Sequence, residues 1–172
     1  MKYKPISKAS IAFLFAMALI VTTAGHSFAQ GQGNGNGNGN SKKDEKQLNK
    51  EANKTANKAE EAAHDLGRDV VFCILAAHTS GVGTAQQLRD KFNALQDFPF
   101  GQFVAAVLLA DRIDKPLDEI LMQLQDGKSI GKITREADVN MGDVRQGYGQ
   151  FRSELAHSMT NPPTKNCFQT TT

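Results

Sequence analysis

The sequence predicts an all-α protein: a small orthogonal helical bundle, preceded by a charged, heptad-like helix and a disordered Gly/Asn linker. Three observations support this fold class. Apolar side chains recur at intervals of three and four residues, the spacing that places them on one helix face. N-capping side chains, Pro and Gly punctuate the chain at helix-length intervals. The strict alternation of apolar and polar residues that is typical of β-strands is nearly absent.

The first 29 residues have the organisation of a secretory signal peptide. Lys2, Lys4 and Lys8 supply a positive start, and residues 11–21 form an apolar run of signal-peptide length. The stretch that ends at Ala29 offers small side chains where a signal peptidase reads. We therefore predict cleavage after Ala29, a periplasmic or secreted mature protein, and no stable membrane span. An uncleaved N-terminal anchor is the alternative.

The composition of the residues after position 29 does not favour binding to nucleic acid or to anionic lipid. Residues 30–41 carry no apolar side chain to bury and are predicted to form a flexible linker. Three of the 20 basic residues lie in the leader, so the remaining chain has 17 basic and 18 acidic side chains. This balance gives no overall attraction to nucleic acid or anionic lipid. There is no Trp, and the aromatic residues are mostly Phe, which favours core packing over sugar or base stacking.

Residues 42–66 are predicted to form a charged amphipathic helix with a narrow apolar seam. The seam is half alanine, so it would permit close helix approach while burying little area. Weak coiled-coil pairing with another chain, docking on the rest of the protein, and a solvated charged helix are the three interpretations. We take the seam as the candidate interaction surface; its members are Leu48, Ala52, Thr55, Ala59, Ala62 and Leu66.

Residues 67–160 are predicted to form the helical domain, followed by an irregular tail over 161–172. A short apolar helix around Val71 should end near Gly81, and Thr84 is a candidate N-cap for the next helix.

The second half of this domain contains the predicted central helix. The run 103–109 is apolar on all sides, as expected of a helix that the others surround. Pro116 suits the start of the next helix and Gly127 its end. Ser129 and Asn140 are candidate N-caps for two further helices. The side chains predicted to point inward are Val70, Val71, Ile74, Leu75 and Ala77, then Leu88, Phe92 and Leu95, then Leu117, Ile120, Leu121 and Leu124, and finally Val144, Tyr148, Phe151 and Leu155.

Cys73 and Cys167 are the two cysteines of the chain. An oxidising compartment permits a disulfide between them, which would fasten the tail to the body. Chain-entropy arithmetic gives a bridge over so long a loop a stabilisation of several kcal/mol, although measured values scatter widely. The alternative is a pair of unpaired thiols, with Cys73 filling space in the core.

Residues 117–152 resemble the tri-helical helix-turn-helix pattern. A first helix leads to a turn at Gly127 and Ser129, Ile133 lies on the second helix, and a third helix follows Asn140. The resemblance covers about 35 residues. It implies that the positions reading a DNA groove are Asn140, Asp143, Arg145 and Gln146.

Three features of this segment argue against DNA binding. Export removes the protein from the chromosome. Gly142, Gly147 and Gly149 each weaken the supposed recognition helix by roughly 1 kcal/mol relative to Ala. Asp143 and Glu136 place negative charge where phosphates would lie. We therefore favour the alternative that the same three helices pack as a stable part of the bundle.

A second resemblance covers residues 104–139. The segments 114–121 and 127–133 are similar to a pattern of small exported bacterial proteins of uncharacterised function, in which an apolar helix precedes an Asp-Glu-Ile/Val-Leu helix start and a Gly-x-Gly-Trp-Gly-x-Ile turn. Here Ser129 replaces the middle Gly and Ile130 replaces the Trp. The resemblance implies an exported location and a helical architecture, and it implies no activity.

No residue pattern predicts a catalytic, cofactor or metal site. His64 and His78 flank Cys73 at spacings that do not share one helix face. The motifs of covalent haem and of zinc proteases are absent from the sequence. The acidic residues around Pro116 alternate with basic ones and suit the first turn of a helix. Each histidine, His157 included, is interpreted as a surface or helix-end residue.

We therefore predict an exported, non-enzymatic helical protein that binds another protein, or itself, as an adaptor or assembly module of the cell envelope, with helix 42–66 contributing to the association. Two alternatives remain: nucleic-acid binding through the helix-turn-helix-like unit, and an envelope metal-binding or stress-related protein that uses histidines and carboxylates. An enzyme without a recognisable motif is the least favoured interpretation.

Overall fold

The computed structural model of the chain describes residues 40–162 and 167–168, so the predicted signal peptide and nearly all of the linker lie outside the described residues. Residues 40–162 contain seven α-helices and no strand, which confirms the all-α fold class. In chain order the helices are α1 (Asn40–Leu66), α2 (Arg68–His78), α3 (Ala85–Ala94), α4 (Phe100–Ile113), α5 (Leu117–Gln125), α6 (Ile130–Glu136) and α7 (Met141–Thr160).

Helix α1 is an integral part of the bundle. It packs most extensively on α7 and α4, and also on α6 and α2, and it belongs to the same compact unit as the other six helices. The seam therefore docks on the rest of the protein, which is one of the three interpretations of the sequence pattern, and the expectation of a seam offered to a partner is wrong. The small side chains of the seam let the neighbouring helices approach closely, so the seam is covered by the protein's own chain. Its buried members are Leu48, Ala52, Thr55, Ala59 and Ala62, and Leu66 is half-buried.

The core is centred on α4, as the apolar run predicts. Every residue from 103 to 110 is buried, since α1, α5 and α7 pack around this helix. The hydroxyl of Tyr148 donates a hydrogen bond to the carbonyl oxygen of Ala105 (3.0 Å), which ties α7 to α4 inside the core. Burial raises the pKa of this phenol well above its usual value. A cluster of aromatic rings fills the end of the core between α2, α3 and α4: Phe72, Phe92, Phe100 and Phe103.

The predicted helix boundaries are confirmed where a capping side chain carries the signal. Thr84 forms a reciprocal capping box with Gln87 at the start of α3. Ser129 accepts a hydrogen bond from the Lys132 backbone N–H at the start of α6, and Asn140 accepts one from Gly142 at the start of α7. These side chains satisfy backbone donors that have no partner within the helix.

Most predicted inward positions are buried or half-buried, and the exception lies on α2. Ala77 is exposed, because α2 is short and only the face with Val71, Phe72 and Leu75 meets the core. Pro116 lies one position earlier than expected, as the residue that precedes the first helical position of α5.

The tail is fastened to α2 by the two cysteines. The Cα atoms of Cys73 and Cys167 lie 5.7 Å apart, which is disulfide distance, across a separation of 94 residues. Phe168 lies beside the pair, with its ring centre 4.2 Å from the guanidinium carbon of Arg89. Of the predicted irregular tail, residues 163–166 and 169–172 lie outside the described residues.

None of the helices between residues 40 and 162 combines the length and the apolar composition that a membrane span requires.

Candidate binding groove

Side chains of α1 cap the first turns of two other helices. The backbone N–H of Gly101 in α4 donates to a carboxylate oxygen of Glu60 (2.8 Å). The backbone N–H of Gly131 in α6 donates to Oδ1 of Asn49 (2.7 Å). Helix α4 needs this external partner because Pro99, which precedes it, offers no side-chain cap. The two bonds fix α1 across the N-terminal ends of α4 and α6.

Glycines at these two points allow the backbones to meet. A Cβ atom at Gly101 would collide with the carbonyl oxygen of Ala56, and one at Gly131 would lie 2.7 Å from the carbonyl oxygen of Glu45. Both neighbours are backbone atoms of α1, so they have little freedom to move aside. Nothing in a single sequence indicates which helix will cross at these glycines, so their role cannot be predicted from the sequence.

A polar network fixes the opposite side of α1 to α7. Arg152 donates to the Glu51 carboxylate (2.7 Å), to the Glu51 carbonyl oxygen (3.1 Å) and to the Thr55 hydroxyl (3.1 Å). The hydrogen bond from Lys54, and then the bond and charge of Arg152, hold the pKa of Glu51 below its usual value of 4.5, against the opposing effect of burial. The network fixes one side of α1 to α7, whereas other positions of the helix, Asn53 among them, stay exposed.

Beside Asn53, residues of α1, α4 and the α5–α6 turn line an open groove of about 320 Å³. Ala52, Ala56 and Ala105 line its floor, and residues 127–130 line the wall opposite α1. This volume is at the lower end of the range that is typical of ligand sites. The groove exists because α1 crosses α4 and α6 at their glycines, and because alanine side chains leave the space between the crossings unfilled.

Three side-chain amides give the groove its chemistry: those of Asn49, Asn53 and Gln102. Asn49 uses its oxygen to cap α6. Asn53 and Gln102 are exposed, and their side-chain amides make no hydrogen bond in the described part of the chain. A side-chain amide offers both a carbonyl acceptor and an N–H donor, which is the hydrogen-bonding inventory of a peptide bond. The groove lining contains no aromatic ring that could stack on a sugar or a base.

A second, shallower pocket of about 370 Å³ lies nearer the start of α1, and Asn49 lines both spaces. Lys42, Lys46 and Arg135 give this basic pocket its charge. Glu45 also lines it, but its carboxylate is paired with Arg135 at 2.8 Å.

The residues that the helix-turn-helix resemblance singled out hold the fold together or lie free on the surface. Asn140 caps α7, and its Oδ1 atom accepts from the Gly142 N–H at 2.7 Å. Arg145 lies 3.9 Å from a carboxylate oxygen of Asp44 on α1, and Gln146 is exposed. Helix α7, the third helix of the unit, is therefore partly covered by α1. A DNA-reading helix has to be exposed so that it can enter the major groove of the DNA.

The histidines do not gather into a site. His64 and His157 are exposed, and His64 is 90% so. His78 is a helix-end residue as expected, since it is the last residue of α2, but it does not lie on the surface. Its side chain is only 7% exposed, Nδ1 lies 2.9 Å from a carboxylate oxygen of Glu154 on α7, and the ring packs edge-on against Phe151. Within residues 40–162 and 167–168, no three His, Cys, Asp or Glu side chains are placed to hold a metal ion.

The acidic residues around Pro116 serve the local fold. Asp111 accepts a hydrogen bond from the backbone N–H of Ser80 (3.0 Å), Asp118 pairs with Lys91 (2.5 Å), and Glu119 pairs with Lys115 (2.5 Å). These partners connect α4 and α5 to their neighbours and to the turn after α2.

Comparisons of the chain with protein-family models, with curated proteins and with solved structures find no match. The chain is therefore assigned to no family, and its function has to be argued from the groove.

Proposed function

We propose that the protein is an interaction module that binds an extended segment of another protein in the groove between α1, α4 and the α5–α6 turn. The observation that carries the proposal is the pair of exposed amides, Asn53 and Gln102, which face a common space and have no hydrogen-bond partner in the described part of the chain. Such amides can bond the N–H and C=O groups of a peptide backbone, while the alanine floor admits its small side chains.

The same lining supports a peptide over the other candidate ligands. Sugars and nucleobases are commonly bound on aromatic faces, and none lines the groove. Zinc and copper need clustered His, Cys or carboxylate ligands, and the groove residues are amide, alanine, lysine and serine in the main. The proposal keeps the protein-binding function that the sequence predicts and moves its surface from the seam to the groove.

We place this module outside the cytoplasm, in the periplasm or beyond the cell. The Lys-rich start and apolar run of the first 29 residues support export. A cysteine pair at disulfide distance is typical of oxidising compartments.

The test is site-specific photo-crosslinking in the producing cell. A photoreactive residue replaces Asn53 in the groove of the full-length chain, and in a matched variant it replaces Asn93, an exposed Asn on α3. We expect a recurrent partner protein to be captured from position 53 and not from position 93. A second pair of variants asks whether the amides matter: Gln102→Ala should reduce the capture, whereas Gln86→Ala, on α3, should not.

Equal capture from positions 53 and 93 would contradict the groove as the contact surface. Capture of nothing but a second copy of the chain from position 53 would assign the groove to self-association and overturn the proposed partner.

A further inference from the structure

The basic pocket beside the groove has a charge that its own chain does not neutralise. Lys42 and Lys46 are exposed, and neither forms an ion pair among the residues that the structure describes. Arg135 is paired with Glu45, so the acidic residue of this pocket is already engaged. Lys42, Lys46, Arg135 and Glu45 together leave an excess of two positive charges.

The positive potential extends onto α6. The hydrogen bond from Lys128, followed by the charges of Lys128, Lys132 and Arg135, holds the pKa of Glu136 below its usual value. Lys132 makes no ion pair in the described part of the chain, and Lys128 also lines the groove. The end of the groove nearest to the start of α1 is therefore electropositive, although the whole chain is nearly neutral.

Asn49 joins the two regions, since it lines the amide groove and the basic pocket alike. An extended segment held by the amides at Asn53 and Gln102 and continuing past Asn49 would pass over Lys42 and Lys46. Each residue of an extended chain covers roughly 3.3 Å, so a few residues suffice to span neighbouring turns of α1.

We propose that the protein selects segments that carry Asp or Glu at the end lying over the basic pocket, so that the partner is an acidic extended peptide. This inference rests on the proposed function and adds the chemistry of the partner to it. Carboxylates over Lys42 and Lys46 replace repulsion between two unpaired ammonium groups with attraction. Selectivity for acidic segments therefore follows from charge complementarity. The amides of Asn53 and Gln102 supply the hydrogen bonds to the peptide backbone.

The experiment measures the binding of fluorescein-labelled peptides to the purified mature protein by fluorescence anisotropy. The peptides are short Ser/Ala segments that end in a run of Glu, of Gln or of Lys, with the run at either terminus. We expect one of the Glu peptides to bind roughly three- to tenfold more tightly than its Gln counterpart at low salt, as two or three exposed ion pairs allow. The preference should shrink as salt is added.

Charge-reversal variants test whether the preference for Glu peptides depends on the lysines of the basic pocket. Lys42→Glu/Lys46→Glu should abolish the preference for Glu over Gln, while Lys43→Glu/Lys50→Glu, with the same net charge change on exposed positions of α1 outside both pockets, should keep most of it. Circular dichroism melting establishes that both variants are folded.

Two results would overturn the inference. One is a Glu peptide that binds no better than the Gln peptide, and the other is a preference that survives in Lys42→Glu/Lys46→Glu. Neither result decides the proposed function, which is tested separately by whether crosslinking at position 53, and not at position 93, captures a partner protein. A Gln peptide that binds as well as the Glu peptide would leave the groove as a peptide site and remove its charge selectivity.

Discussion

Glycines set the distances between helices in this protein. Gly101 and Gly131 lie at the crossings of α4 and α6 with α1, and Gly147 of α7 lies where a Cβ atom would come within 2.5 Å of the Arg112 guanidinium. Gly149, two positions further along α7, faces open space except for the tip of Arg152 at 4.0 Å. Similar glycines in one sequence therefore have different roles, which only the packing distinguishes.

Replacing Gly101 with alanine should lower the free energy of unfolding by about 1–3 kcal/mol, because the new methyl group collides with a backbone carbonyl that cannot turn away. The matched Gly149→Ala variant should raise it by up to about 1 kcal/mol, since alanine is the better helix former where space is available. Urea unfolding of both variants measures this difference. Equal effects of the two substitutions would show that α1 and α4 do not cross closely at Gly101.

The Glu51–Arg152 pair should make stability depend on pH. The folded protein lowers the pKa of Glu51 below 4.5, so the stabilisation is fully present above pH 4.5 and is lost as the pH falls through the lowered value. Glu51→Gln should therefore be less stable than the wild type at pH 7, and the gap should close in acid. Urea unfolding over pH 7 to 3 tests this. Glu61→Gln, at an exposed position, is the control, and we expect it to lose little stability at pH 7. A stability difference between the wild type and Glu51→Gln that does not change with pH would contradict the role of the Glu51–Arg152 pair.

At the scale of the elements, α1 combines the roles of a scaffold and a cap. The Asn residues of α1 lower its own helix propensity. In the fold, Asn49 and Glu60 supply hydrogen-bond acceptors to α6 and α4. Asn49, which weakens α1, thus stabilises the start of α6, and Glu60 stabilises the start of α4.

Asn49→Ala should cost the protein about 1 kcal/mol relative to Asn57→Ala, since both variants gain the same helix propensity and only the first loses a cap. Asn57 is an exposed residue of the same helix, and its side-chain amide forms no hydrogen bond within the described residues. Thermal unfolding followed by circular dichroism measures the difference. If the two melting temperatures coincide, the Asn49–Gly131 bond contributes nothing to stability.

At the scale of the whole molecule, a helix that the sequence marks as charged closes the bundle. α1 covers faces of α2, α4, α6 and α7, so it completes the core that the other helices leave open. At the opposite end of the described region, Cys167 lies at disulfide distance from Cys73 on α2. Both termini of the described region are thereby tied to the same body.

Replacing both Cys73 and Cys167 with serine should lower the free energy of unfolding by about 2–5 kcal/mol, because the unfolded chain loses a constraint across 94 residues. The helical circular dichroism spectrum should persist, since the core does not depend on the bridge. Urea unfolding with and without a dithiol reductant makes the test: the oxidised wild type should exceed the variant, and the reduced wild type should match it. Equal stability of all three samples would mean that the thiols are not bridged.

The sequence by itself determined the fold class and most helix boundaries of this protein. Local signals carry these features: the capping box of Thr84 with Gln87, the caps Ser129 and Asn140, and the apolar run that became α4. Each signal acts within a few residues of the chain, so it can be recognised without a partner element.

Only the tertiary structure decided where α1 lies and, with it, where the candidate site lies. A thin alanine seam fits a free helix, a coiled coil and a docked helix equally well, because the area that it buries depends on what covers it. The fold placed Asn49 and Glu60 at the ends of helices far along the chain and left Asn53 and Gln102 facing one groove. Contacts between residues 40 to 90 positions apart depend on the packing of the whole core, and no local pattern in the sequence records them.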